Sequence, residues 1–129
     1  RYQATLRTCF TLENFDNLIK NGRMRPIVGT LLRSLGIHII ADATAEGTIH
    51  VADKARGVGK TYRAITALMK ASKDCTDAEV VISHCENLEG AMALKRQILA
   101  DLPVKQVDLL SCRGLTSFYA MEKGLIVGY

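Results

Sequence analysis

The sequence is poor in the aromatic residues on which nucleic-acid sites stack bases. Tryptophan is absent, and aromatic residues make up only 5% of the 129 residues. Sites for single-stranded nucleic acid stack bases on several aromatic side chains. The net charge of +4 is mild, and no block of five or more lysines and arginines occurs. We therefore expect no nucleic-acid partner.

Long hydrophobic runs are also absent. No apolar run approaches the roughly 18 residues of a membrane-spanning helix, and no secretory signal opens the chain. We expect no integral membrane segment. The first residue is not methionine, and a strand pattern begins almost at once, so we expect the chain to be a piece of a longer protein.

The four cysteines show none of the spacings typical of metal or redox sites. Cys9, Cys75, Cys85 and Cys112 form no C-x-x-C pair, and none has a histidine at zinc-finger spacing. Three of them lie in or beside apolar strand-like runs. This pattern predicts reduced, packed thiols in a cytoplasmic protein and no metal site.

Helical and extended patterns alternate along the chain. Strands are predicted over residues 4–10, 37–40, 48–51, 80–82, 107–110 and 125–129, the second and third forming a β-hairpin around residues 44–47. Helices are predicted to begin near Thr11, Pro26, Lys60 and Asn87, with Thr11 and Asn87 as caps. We predict an α/β fold over residues 1–129, a single domain with a mixed β-sheet packed with helices.

A basic turn followed by an apolar helix is the centre of this sequence. Gly22 ends one helix, Arg23 and Arg25 stand on the turn, and Pro26 opens the next helix. The apolar stripe of that helix comprises Ile27, Val28, Leu31, Leu32 and Leu35. Guanidinium groups beside such a helix suit a ligand with an anionic head and an apolar tail. The alternative is a surface loop that leads into an ordinary core helix.

A second basic turn is predicted over residues 54–60, KARGVGK, and it resembles a phosphate-binding loop only in part. The G-x-x-x-x-G-K motif requires a glycine where this chain has Lys54, so we predict no nucleotide binding. A weak anion site at the start of a helix stays possible. Its residues would be Arg56, Gly57, Gly59 and Lys60.

No catalytic constellation is evident. His38, His50 and His84 lack metal partners at helical spacing, and no base is placed to activate Cys112. His84 is of most interest, because it follows a strand, and strand ends face ligand crevices in open α/β sheets. A third basic turn contains Arg113 and Gly114, with the hydroxyls of Thr116 and Ser117 after it. We predict no catalytic residue, no metal and no cofactor.

The chain resembles the C-terminal domain of DegV-family bacterial fatty-acid-binding proteins nearly from end to end. The similar segments, in family order, are FTLENFDNLIKNGRM, an apolar helix, a hairpin leading to KARG, ISHCENLEGAMALK, and SCRGLTSFYAMEKGLIVGY. Many members have His-Thr-Gly where this chain has Cys112-Arg113-Gly114.

The resemblance implies a non-enzymatic carrier that presents a long-chain fatty acid to a separate fatty-acid kinase, for acyl-phosphate formation and phospholipid synthesis. The N-terminal domain, absent here, would hold the carboxylate with Ser and Thr, and this chain would house the tail. The expected head-group residues are Arg23, Arg113, Gly114 and Thr116. The expected acyl-chain lining is Ile27, Val28, Leu31, Leu32 and Ile39. The alternatives are a basic anion- or nucleotide-binding module using residues 56–61, and a purely structural or docking domain.

Overall fold

The predicted hairpin forms in the computed structural model, which describes residues 6–12, 37–43, 46, 48–111 and 124–129. Strand β2 spans Ile37–Ala43 and strand β3 spans Ile49–Arg56, with a register shift between Ile40 and Ala41. The prediction that Lys54 begins a turn was wrong. Residues 54–56 pair with Ile39, His38 and Ile37, so their backbone groups extend the ladder.

The first strand, β1, spans Thr8–Leu12. The prediction that Thr11 caps a helix was wrong, because Thr11 lies inside β1. Its backbone pairs with Ile40 on one side and Leu125 on the other. Two neighbouring strands outweigh the local preference of a threonine for a cap. The rest of that predicted helix, residues 13–21, and the helix predicted over residues 26–35 lie outside the described residues.

The described strands form one mixed sheet. Strand β4 spans Glu79–His84, β5 spans Gln106–Ser111, and β6 spans Leu125–Gly128. The order is β3-β2-β1-β6-β4-β5, and only β4 and β5 are parallel neighbours. Strands β1, β3, β4 and β5 therefore run in one direction. We call the edge at which they end the carboxyl edge, and it comprises Leu12, Arg56, His84 and Ser111, with Ile37 and Leu125 at the starts of β2 and β6.

Two helices cover one face of the sheet. Helix α1 spans Val58–Ser72 and packs on β1, β2 and β3, whereas α2 spans Leu88–Asp101 and packs on β4, β5 and α1. They share one apolar core with the sheet, which includes Cys9, Ile40, Ile65, Met69, Val80, Ile82, Leu94, Ile98 and Val127. Both helices begin at the carboxyl edge.

The cap of α2 is the one that the sequence predicts. The side chain of Asn87 accepts a hydrogen bond from the backbone N–H of Gly90, at 3.1 Å. A Cβ atom at position 90 would lie 2.5 Å from the Asn87 side chain. Glycine is therefore needed for the cap to keep this geometry, and the cap fixes where α2 begins relative to His84.

The opposite face of the sheet is apolar as well. Side chains alternate along a strand, so Phe10, Ile39, Val81 and Ile126 project away from the two helices. Ile39 is only 1% exposed, yet it does not belong to the core beneath the helices. The sheet thus presents apolar side chains to both sides, as strands buried on both faces do.

Candidate functional site

The carboxyl edge brings together the ends of the segments that carry the predicted head-group residues. The chain leaves this edge after Leu12 and returns at Ile37, and it leaves again after Ser111 and returns before Leu125. The predicted head-group residues Arg23, Arg113, Gly114 and Thr116 fall within these intervals, outside the described residues. Their roles stay predictions.

His84 is a buried imidazole at this edge, 9% exposed. Its Nδ1 accepts a hydrogen bond from the backbone N–H of Asn87 at 3.2 Å. Because Nδ1 is the acceptor, the neutral ring carries its proton on Nε2, which is left to donate elsewhere. The adjacent Cys85 N–H donates to the carbonyl of Gly124 at 3.2 Å. These bonds tie the end of β4 to the start of α2 and to the residue before β6.

Strand register places a second buried polar group in the same row of the sheet as His84. Leu125 pairs with His84 on one side and with Thr11 on the other, so these three side chains project toward the same face. The Thr11 hydroxyl is buried and has no hydrogen-bond partner among the described residues. Two strand spacings separate Thr11 from His84, roughly 10 Å. Sequence reasoning identified His84 as a candidate site residue but not Thr11. The available signal was the period of two along a strand, which puts Thr11 on the same face as Cys9.

The predicted anion loop lies at the same edge. Arg56, Gly57, Gly59 and Lys60 are all exposed, and Arg63 follows on the same helix. Helix α1 begins without a side-chain cap and without an acidic residue in its first turn. Such an end favours anions, because its first N–H groups lack helical partners. Whether these four residues bind an anion stays a prediction.

A nucleotide-binding loop does not fit this geometry. Only Gly57 stands between the end of β3 and the start of α1, and Gly59 and Lys60 already lie in the first turn of the helix. A phosphate-cradling loop needs several residues between strand and helix. The Thr61 hydroxyl donates to the carbonyl of Gly57 at 2.8 Å, so it is engaged within the turn.

The acyl-chain prediction divides between described and undescribed residues. Ile39 lies buried on the apolar face opposite the helices, near the carboxyl edge. Ile27, Val28, Leu31 and Leu32 lie outside the described residues, and their roles stay predictions. The apolar face that bears Ile39 can accommodate a tail, whereas the His84 imidazole projects toward the helices, as Ile82 does.

Three other titratable groups, His50, Cys9 and Cys75, lie away from the carboxyl edge. His50 lies at the other end of the hairpin, with its Nδ1 2.9 Å from Asp42. Burial raises the pKa of the Cys9 thiol to about 12, and burial also raises the pKa of Cys75. Buried thiols held protonated are poor nucleophiles and poor metal ligands. Within the part of the chain that the structure describes, no group of three histidine, cysteine, aspartate or glutamate side chains could hold a metal ion.

The helices that the structure describes are too short or too polar to cross a membrane. The longer of them, α1, has 15 residues and carries several charged side chains. A spanning helix needs about 20 predominantly apolar residues.

Comparison with known proteins decides the family. The family model described as uncharacterised proteins of the DegV family matches residues 1–125. The chain belongs to the DegV family. A DegV domain-containing protein of Streptococcus pneumoniae is 34% identical over 129 residues, which cover 99% of this chain and 45% of that protein. The chain therefore spans less than half the length of the curated DegV relatives it matches.

Two solved structures have the same fold. A DegV family protein from Eubacterium eligens, loaded with heptadecanoic acid, superposes with a TM-score of 0.90 at 28% identity, covering 98% of this chain and 46% of that one. The fatty acid kinase (Fak) B3 protein of Streptococcus pneumoniae, loaded with linoleic acid, superposes with a TM-score of 0.87 at 34% identity, covering 99% of this chain and 45% of that one. The predicted α/β fold with a mixed sheet is confirmed.

Proposed function

We propose that this chain is the tail-binding half of a fatty-acid carrier, not an enzyme, and that it presents a long-chain fatty acid to a separate fatty-acid kinase for phospholipid synthesis. The observation that carries the proposal is the match over nearly the whole chain to two proteins described as loaded with fatty acids. The apolar face that bears Ile39 and ends at the carboxyl edge supports it. An N-terminal domain would complete the head-group site, in keeping with the longer relatives.

The acyl tail and the head group contribute differently to the free energy of binding. A tail of about ten buried methylenes contributes roughly 8 kcal/mol at about 0.8 kcal/mol each. Ordering the tail and losing translational freedom offset much of that gain. Head-group contacts therefore decide whether binding is tight, and charge-assisted hydrogen bonds of about 1.5–3 kcal/mol are the strongest of these. Arg23 and Arg113 are the residues proposed to supply them from this chain.

A cytoplasmic location belongs to the same proposal. Cys9, Cys75 and Cys85 are all free thiols. Free thiols of this kind are typical of reducing compartments, whereas secreted domains of this size often use disulfides.

The proposal is tested in the whole two-domain protein. Native mass spectrometry of protein purified from cells should detect a co-purified fatty acid. Replacing Arg23 or Arg113 with alanine should weaken fatty-acid binding about 10- to 100-fold, measured by displacement of a fluorescent fatty acid, without changing the unfolding midpoint. Lys70→Ala is the matched control, because Lys70 lies in the last turn of α1, roughly 18 Å from its start. Wild-type affinity in both arginine variants would show that neither contacts the head group.

A further inference from the structure

Three large apolar side chains of α2 are left in solvent. Leu88, Met92 and Leu99 are 54%, 45% and 47% exposed. Ala91, Leu94 and Ile98 of the same helix are fully buried in the core. The folded chain therefore uses one side of α2 for its own core and leaves a second apolar stripe uncovered by any described residue.

The uncovered stripe lies on a definite side of the helix. Successive helical residues turn by about 100°, so Leu88, Met92 and Leu99 fall within about 40° of one another. Asp101 faces α1, because its carboxylate accepts a hydrogen bond from the Thr66 hydroxyl at 2.9 Å. The stripe is roughly opposite Asp101 and thus faces away from α1. Since α1 packs on β1, β2 and β3, the stripe overhangs β5, the outermost described strand on that side.

We call this surface the outer flank, and it comprises Leu88, Met92, Lys95 and Leu99. Lys95 lies between Met92 and Leu99 on the same side, and Arg96 is its exposed neighbour. The ion pairs among the described residues are His50–Asp42 and Lys105–Glu79, so neither Lys95 nor Arg96 is matched by a carboxylate there. A complementary partner surface would be apolar with carboxylates at its border.

A second copy of the chain fits the outer flank poorly. A two-fold axis through the stripe would bring two Lys95 ammonium groups within about one helical turn of each other, and like charges at that distance repel. A stable dimer also buries about 800 Å² per partner with some 20–30 residues. A stripe of four side chains suits a smaller, transient contact.

The position of the outer flank relative to the carboxyl edge indicates which transient partner it serves. Leu88 directly follows Asn87, whose backbone N–H binds His84 at that edge. A kinase that phosphorylates a carboxylate held at the carboxyl edge must cover this edge, and the outer flank begins there. It then continues for 11 residues along α2, about 16 Å.

We infer that the outer flank is the surface through which the carrier docks transiently on the fatty-acid kinase, against an apolar groove bordered by carboxylates. The inference rests on the proposed function, because it takes the kinase as the partner.

The test combines two measurements on the whole two-domain protein. The first is fatty-acid affinity, by displacement of a fluorescent fatty acid. The second is direct titration of the carrier with purified kinase, together with the KM for the loaded carrier in acyl-phosphate formation. The variants are the double substitution Leu88→Ser with Met92→Ser, the single charge reversal Lys95→Glu, and the control Leu6→Ser. Leu6 is 36% exposed and precedes β1, at the end of the sheet opposite the carboxyl edge.

The double variant and Lys95→Glu should each weaken kinase binding and raise the KM about 10-fold or more. Fatty-acid affinity should stay at the wild-type value. The conservative variant Lys95→Arg, which keeps the positive charge, should bind kinase as the wild type does. Wild-type kinase binding in the outer-flank variants, or an equal loss in Leu6→Ser, would overturn the inference. A wild-type carrier that binds kinase but no fatty acid would instead refute the proposed function while leaving the docking surface supported.

Two further measurements distinguish other occupants. Sedimentation of the wild-type protein should show a monomer, and phosphatidylglycerol vesicles should retain the wild-type protein and the double variant equally. A dimer that the double substitution dissociates would assign the outer flank to a second copy. Vesicle binding that the double substitution abolishes would assign it to a lipid surface. Either result would overturn docking on the kinase.

Discussion

Gly57 is the single residue that joins β3 to α1, and its backbone lies at φ 90° and ψ 151°. Residues other than glycine rarely adopt this region of φ and ψ, and forcing one into it costs about 1–3 kcal/mol. A Cβ atom at position 57 would meet nothing within 4 Å. Any cost of substitution there therefore comes from backbone conformation and not from packing.

This separation gives a residue-scale prediction. Gly57→Ala should lower the free energy of unfolding by about 1–3 kcal/mol, measured by urea denaturation. Gly59→Ala is the matched control, because Gly59 lies in the first turn of α1 and its nearest foreign atom would be 4.0 Å from the new Cβ. It should leave stability unchanged or raise it by up to about 1 kcal/mol, since alanine favours helix. Equal effects of the two substitutions would show that the backbone at position 57 does not require glycine.

At the scale of the element, α2 separates two kinds of apolar position that look alike in sequence. Leu94 is fully buried between the sheet and α1, whereas Leu99 on the outer flank is 47% exposed. Burial, and not residue type, sets the cost of truncating a side chain, because the cost includes the cavity left behind.

We therefore expect opposite results from two leucine truncations in α2. Leu94→Ala should destabilise the protein by about 2–5 kcal/mol. Leu99→Ala should change stability by no more than about 0.5 kcal/mol, as surface substitutions do. Thermal and urea unfolding of the two variants make the comparison. A large loss in Leu99→Ala would mean that the outer flank belongs to the core of the chain.

At the scale of the whole molecule, the last residue is tied into the fold at two places. The backbone of Tyr129 exchanges two hydrogen bonds with Arg7, at 2.8 and 2.9 Å. Its hydroxyl lies 2.6 Å from that of Ser72 at the end of α1. Burial raises the pKa of Tyr129 from 10.0 to about 12, as burial also does for Cys9 from 9.0. Both groups are favoured in their neutral forms by folding.

The sign of the pH dependence follows from these two raised pKa values. Below about pH 8 both groups are neutral whether the chain is folded or unfolded, so stability should not depend on their titration. As pH rises from about 8 toward 12, the unfolded chain loses protons that the folded chain keeps, and the free energy of unfolding should fall. Tyr129→Phe should cost about 1 kcal/mol at pH 7 through the lost hydrogen bond. Its stability should fall less steeply than wild type between pH 10 and 11, and identical slopes would contradict the assignment.

Much of the fold follows from local pattern. The hairpin, the strands at 80–82, 107–110 and 125–129, and the helix that Asn87 caps are all present, with strand bounds that differ from the predicted ones by one to a few residues. Errors arose where tertiary pairing overrode local preference. Thr11 is a strand residue because β2 and β6 flank it, and residues 54–56 are in β3 because β2 pairs with them.

The candidate site was less accessible to pattern reasoning. His84 was recognisable because it follows a short apolar strand. Thr11 lies 73 positions earlier in the chain. The two residues stand in the same row of the sheet because both pair with Leu125 of β6, which lies between β1 and β4. Strand order and register depend on contacts between distant residues, which periodicity does not encode.

By itself, the sequence determined the family, the hairpin, the two helices that the structure describes and the cap of α2. These features depend on residue types at short spacing, where local backbone preference and hydrophobic period act directly. Only the tertiary structure decided that the ends of β1, β3, β4 and β5 meet at one edge and that Ile39 is buried on the face away from the helices. It also decided that Leu94 enters the core while Leu88, Met92 and Leu99 stay in solvent. The physical reason is that burial belongs to the packed assembly: a helix has a fixed period, but its neighbours select which of its apolar sides is covered.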